Sequence, residues 1–248
     1  MSHGLAIVFC DDANPVVELD AVVAAIRQRW PNAALSDLEP GEALGLSLDA
    51  VPFVLGAIPA PVPWGDLKEV CVESMFWPEA EETLRGHKSH VLITAADDAA
   101  PLPRSETLTK LVTATLDAVP QATGVYWSDA EMVIAPRVFR DFAVQVMPDG
   151  PPILLWIKMC LGRSPEGGSA GYTQGLAAFG QRELETLNAD EEAEVLLERF
   201  CMISEHLIND GEIADGEIVE SRDGREIRAI HGQSSYGQQA PVIRLEYR

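Results

Sequence analysis

The sequence predicts an α+β protein made of two halves, each a mainly antiparallel sheet with helices packed on one side. Three observations carry this. Short apolar runs of strand length alternate with segments whose apolar residues recur at helical spacing, as when Leu5 to Cys10 is followed by Leu19, Val22, Val23, Ile26 and Trp30. An Asp-Gly pair at 223–224 links two strand-like runs, which is hairpin chemistry. Pro148-Asp-Gly-Pro-Pro152 then interrupts the chain with turn formers, giving 1–147 and 153–248 as the two halves. A ferredoxin-like topology fits this order of elements, and so does a more continuous sheet through both halves.

Each element has its own warrant. Leu5 to Cys10 reads as a buried strand, after which Asn14 caps and Pro15 opens a helix that Pro31 stops. Leu44 to Leu48 and Val51 to Ile58 are extended, with Pro52 and the prolines at 59, 61 and 63 pointing to an edge strand or surface loop. Two short helices are expected between Asp66 and Arg85. His90 to Ala96 is a buried strand, and Ser105 caps a helix with Leu108, Leu111, Val112, Leu116 and Val119 on one face. Ala122 to Trp127 and Met132 to Ile134 are strands, followed by a helix from Arg137 to Met147 with Phe142 and Val146 inward.

In the second half, Ile153 to Leu161 is a strand and Arg163 to Ser169 a polar turn. Asn188 and Glu191 have capping-box spacing ahead of a helix whose inner stripe is Ala193, Leu196, Leu197, Phe200, Ile203 and Leu207. Glu217 to Ser221, Glu226 to Ile230 and Val242 to Tyr247 are the closing strands.

His87-Lys-Ser-His-Val-Leu-Ile-Thr94, Gly124-Val-Tyr-Trp127, and above all Tyr172-Thr-Gln-Gly-Leu-Ala-Ala-Phe-Gly-Gln-Arg-Glu-Leu-Glu185 with Asp215-Gly-Glu217 resemble a bacterial domain-of-unknown-function family, number 4261. The resemblance extends mainly over the chain after about residue 85. It implies a fold and no catalytic residues, since that family has no assigned chemistry.

Composition excludes several functions. With 39 acidic residues against 18 basic ones the formal charge is −21, which repels nucleic acid and anionic lipid and favours a basic partner. No apolar run reaches the roughly 20 residues of a membrane span, and Met-Ser-His-Gly-Leu lacks the basic flank of a leader, so a cytoplasmic address is expected. Cys10, Cys71, Cys160 and Cys201 lie in apolar runs without a Cys-x-x-Cys pair, which signals free thiols and neither zinc nor a disulfide framework.

Catalytic motifs are incomplete. Gly167-Gly-Ser-Ala-Gly171 has the letters of a nucleophile elbow, and Ser169, Asp215 and His231 run in hydrolase order, but Arg163 to Glu166 separates Ser169 from the strand before it. His87 and His90, beside Asp97 and Asp98, fall on a loop and strand start, where a zinc pair needs a helix face. The Asp210 to Glu217 segment lacks the loop pattern of a calcium hand, and no nucleotide-binding glycine motif is present. No catalytic residue, metal or cofactor is therefore expected.

Function is expected where the charge is concentrated. Residues 181–220 hold thirteen acids against Arg182 and Arg199. The expectation is a non-enzymatic binding protein whose acidic helix presents Glu191, Glu194, Glu198 and Glu205 to a basic protein, as an immunity protein meets a nuclease-type bacterial toxin. A small-molecule sensor or enzyme with a pocket near Tyr172, Thr173, Gln174 and Arg182 is the alternative, and a self-assembling domain, hence a homo-oligomer, the third. Arg182 itself is expected to be held by the carboxylates around it.

Overall fold

Val8 and Phe9 are adjacent in strand β1 (Leu5–Cys10) and point to opposite faces, yet both are fully buried, so this strand needs cover on both sides. The computed structural model, which describes residues 4–37, 44–95, 99–209, 211–222 and 225–248, supplies it in the first of two units, Met1–Leu155 and Trp156–Arg248. After β1 come α1 (Leu19–Arg29), β2 (Leu35–Asp37), β3 (Leu44–Leu48), β4 (Val51–Ile58), α2 (Trp64–Val72), α3 (Ala80–Leu84) and β5 (Ser89–Ala95). The first unit continues with α4 (Pro101–Ala118), β6 (Ala122–Trp127), β7 (Met132–Ile134) and α5 (Pro136–Gln145). The sheet runs β2-β3-β4-β5-β1-β6-β7 with every pair antiparallel.

The inner strands β4-β5-β1-β6, with α1 leaving β1 and α4 joining β5 to β6, have the strand order of a ferredoxin-like core. Helices α1 and α4 pack together, and α4 lies against β1, β4 and β5. On the other face, Leu67, Cys71, Trp77, Ala80 and Leu84 from α2, α3 and the link between them surround Phe9 and Val133. Helices therefore cover both sides of this sheet, because the odd-numbered residues of β1 are as apolar as the even ones.

Several boundaries differ from the sequence pattern for local reasons. Helix α1 begins at Leu19, since Asp12 accepts the Asn14 N–H (2.9 Å) and makes a turn where a cap was expected. Pro101 opens α4 four residues before Ser105, which is buried inside the helix. The inner stripe of α5 is Phe139 and Ala143, leaving Val146 exposed. Strand β4 is internal; its Pro52 is opposite Ser47, beside a two-residue turn at Asp49 and Ala50 with φ of 52° and 65°. Asp49 holds that turn by accepting the Ala34 N–H (2.9 Å) and pairing with Lys110 (2.7 Å).

A helical turn, α6 (Ile153–Trp156), replaces the start of the predicted strand, and β8 covers Lys158–Arg163. The second unit then runs β9 (Ser169–Gln174), β10 (Glu183–Ala189), α7 (Ala193–Ile208), β11 (Ile218–Arg222), β12 (Arg225–Gln233) and β13 (Pro241–Tyr247). Its order is β11-β12-β13-β10-β9-β8, two antiparallel meanders joined by α7 and meeting where β10 and β13 run parallel. Helix α7 packs on β8, β9 and β10. Arg222 pairs with Arg225 across the predicted hairpin, whose Asp223 and Gly224 lie outside the described residues.

Candidate functional site

Leu196, Phe200 and Leu207 form the buried stripe of α7, spaced by four and seven residues. The capping box does not form. Asn188 belongs to β10 and donates to Glu166 (3.2 Å), and the helix starts after Glu192 with no side-chain cap. Glu191 instead accepts two bonds from Arg199, Nε to Oε1 at 3.0 Å and Nη2 to Oε2 at 2.8 Å, and a third from the Tyr247 hydroxyl at 2.5 Å. Arg199 also pairs with Glu220.

Burial pushes the Glu191 carboxyl up, but the Arg199 and Tyr247 bonds outweigh it and hold the group below the usual carboxylate range. Tyr247 is raised by burial and then by its bond to Glu191. Of the four glutamates expected to meet a partner, Glu191 is thus bound up inside the fold.

The other three stay on the outer face. Glu194, Glu198 and Glu205 are exposed, and their carboxylates have no hydrogen bond or ion pair among the described residues. Among them lie two apolar side chains that solvent reaches, Val195 at 44% and Met202 at 61% exposure. The 195/202 spacing of two helical turns puts both on one face. Cys201 beside them is half-buried, its thiol raised to about 11 by burial and then by Glu205 and Glu198.

Two more of the thirteen acids are interior. Glu183 accepts the Thr173 hydroxyl (2.8 Å) and the backbone N–H groups of Gly175 and Ala177 (2.9 Å each), fixing the 3-10 turn Leu176–Phe179 that follows β9. Glu185, 0% exposed, pairs with Arg244 (2.7 Å) and accepts from the Ser235 N–H (2.9 Å) and the Ser234 hydroxyl (3.2 Å).

These bonds decide the fate of the predicted pocket. Thr173 is spent on Glu183, and Tyr172 lies against Tyr236 with ring centroids 4.9 Å apart. Neither Tyr172, Thr173 nor Gln174 lines a cavity with Arg182. Arg182 lines a different one, about 520 Å³, with Gln181, Leu207, Ile213, Glu217, His231 and their neighbours. The carboxylates expected to hold it, Glu183 and Glu185, are engaged elsewhere, so Arg182 is half-buried with no hydrogen bond or ion pair among the described residues. Sequence spacing showed the arginine but not the cavity, whose walls come from five separate segments: residues 180–182, α7, residues 212–217, β12 and β13.

The remaining motifs have structural partners. Ser169 opens β9, buried, and its hydroxyl donates to the Glu191 carbonyl (2.8 Å). Asp215 accepts the His231 N–H (2.8 Å), while the His231 Nε2 is 2.9 Å from the Ile213 carbonyl, so serine, aspartate and imidazole form no relay. In the first unit the Val62 N–H donates to His87 Nε2 (2.9 Å), leaving Nδ1 to donate to the Leu84 carbonyl. His90 Nδ1 faces the Ala60 carbonyl at 2.8 Å, and burial lowers that ring's pKa. Asp97, Asp98 and Asp210 lie outside the described residues, among which no group of three His, Cys, Asp or Glu is placed to hold a metal ion. No helix among them is long and apolar enough to cross a membrane.

No curated protein and no solved structure matches the chain. A family model, the domain of unknown function DUF4261, matches residues 172–246, from β9 through β13. The motifs at 87–94 and 124–127 fall outside that match, while the 172–185 stretch and Asp215 to Glu217 fall within it. Over residues 172–246, which carry α7 and the Arg182 cavity, the chain is similar to the DUF4261 family.

Proposed function

We propose that the protein is a non-enzymatic binding module that engages a basic protein partner through the outer face of α7. One observation carries the reading: Glu194, Glu198 and Glu205 are exposed without cationic partners among the described residues, around the exposed Val195 and Met202. The helix's arginine is turned away from that face, toward Glu191 and Glu220. Apolar side chains fringed by like charge are the composition of an interface core with a steering rim. The chain's −21 charge adds long-range attraction for a cation and repulsion for nucleic acid.

A nuclease-type toxin is the partner class in the immunity-protein form of this proposal, with the protein acting in the cytoplasm, a compartment that suits its four free cysteines. Affinity capture from the source cell by the wild type and by Met202→Asp tests the reading. The expected result is a basic protein recovered at low salt, lost at high salt and lost with the variant. Recovery of the same protein by both forms at every salt concentration would refute it.

A further inference from the structure

The Arg182 cavity differs in kind from the proposed interface and meets α7 at the buried Leu207. Its walls combine a guanidinium without a partner, the carboxylate of Glu212, also without one among the described residues, and the buried apolar side chains of Leu207, Ile213 and Ile243. Glu217, on the same wall, is fixed by accepting the Ala214 N–H (2.7 Å), and Gln181 is fixed by donating to the Leu207 carbonyl (2.8 Å). The rim is therefore held in place, while the half-buried Arg182 has no protein partner among the described residues. In a chain with twice as many acids as bases, an arginine that no carboxylate among the described residues has claimed is out of keeping with its surroundings.

We infer that this cavity is a binding site for a small aliphatic zwitterion, a free branched-chain α-amino acid, with its carboxylate on Arg182, its ammonium toward Glu212 and Glu217, and its side chain on Leu207, Ile213 and Ile243. Charge decides against a plain anion. A chain of −21 repels anions at long range, whereas a zwitterion has no net charge to repel and meets both signs locally. Size agrees, since about 520 Å³ is within the range of small-molecule clefts and exceeds one amino acid, leaving room for bridging water. The guanidinium fork matches a carboxylate in two-point geometry.

Calorimetric titration of the full chain with L-leucine tests this. Saturable binding is expected, weakened roughly tenfold or more by Arg182→Gln, and weakened similarly when wild type is titrated with leucinamide, which lacks the carboxylate, or N-acetyl-leucine, which lacks the ammonium. The two analogues make the test independent of the variant's folding. Absence of binding up to about 10 mM L-leucine, or equal affinity for leucine and leucinamide, would overturn the inference. Because α7's outer glutamates play no part in this readout, its failure would leave the proposed protein interface untouched, and the reverse holds.

Discussion

Arg199 grips Glu191 at two points, Nε to Oε1 at 3.0 Å and Nη2 to Oε2 at 2.8 Å, and Tyr247 bonds the same carboxylate. The grip ties the start of α7 to β13. Glu191 has a folded-state pKa below its ordinary 4.5, so its contribution is full above that value and is lost as pH falls through the depressed one. Tyr247 has a raised pKa, so its contribution holds below its ordinary 10.0 and is lost at higher pH. Glu191→Gln is expected to cost about 1–3 kcal/mol at neutral pH and to flatten the acid limb of stability, read from urea midpoints across a pH series. An acid limb identical to that of the wild type would contradict the linkage.

Glu183 accepts three donors and offers none, so a glutamine there must aim its NH₂ at an N–H or hydroxyl. Glu183→Gln should therefore cost about 2–3 kcal/mol despite its nearly equal size. Chemical denaturation checks this, and a loss under 0.5 kcal/mol, the range of neutral surface changes, would mean that the three bonds contribute little.

Gly167 and Gly168 in the β8–β9 loop both have positive φ, 96° and 76°, but only Gly168 lacks room: a Cβ there would meet the Ala189 carbonyl oxygen at 2.1 Å. Gly167→Ala should cost about 1–2 kcal/mol from backbone strain alone. Gly168→Ala should cost clearly more, since the neighbour that must move is backbone of β10. Equal melting temperatures would remove the distinction.

Ser169 donates its hydroxyl to a backbone carbonyl, so a broad fluorophosphonate probe should leave the protein unlabelled. Ser169→Ala should cost about 1 kcal/mol of stability through that lost bond. Stoichiometric labelling that disappears in the variant would make Ser169 a nucleophile.

Once a basic partner is in hand, single changes at Glu194, Glu198 or Glu205 should each shift affinity by only about 0–1 kcal/mol, as for other exposed ion pairs. The triple Glu→Gln variant should associate more slowly and with a shallower salt dependence, because screening has less attraction left to remove. Stopped-flow rates across a salt series measure both, and equal slopes would rule out steering by this face.

The sequence pattern reached β1, the β6–β7 pair, α7 and the closing hairpin, where apolar periodicity and Asp-Gly chemistry agree with tertiary packing. It missed β10. Glu183 and Glu185 alternate with Leu184 as a strand's polar face would, but both carboxylates are buried, and sequence cannot distinguish a solvated acid from one satisfied by Thr173 or Arg244. Glu191 misled in the same way, since its arginine lies eight residues along, a full two turns into the helix. The Arg182 cavity was half visible: the arginine stood out, but the residues facing it come from 207 to 243.

The parallel meeting of β10 and β13 has a consequence for how the second unit is made. Strand β13 follows every other strand of its sheet in chain order, yet it occupies an interior place between β12 and β10. During synthesis the β8-β9-β10 meander and α7 emerge first and must wait, with one edge of β10 unpaired, until residues 241–247 leave the ribosome. Deleting that strand would not trim a border; it would sever the sheet into two ribbons, each with a fresh sticky edge.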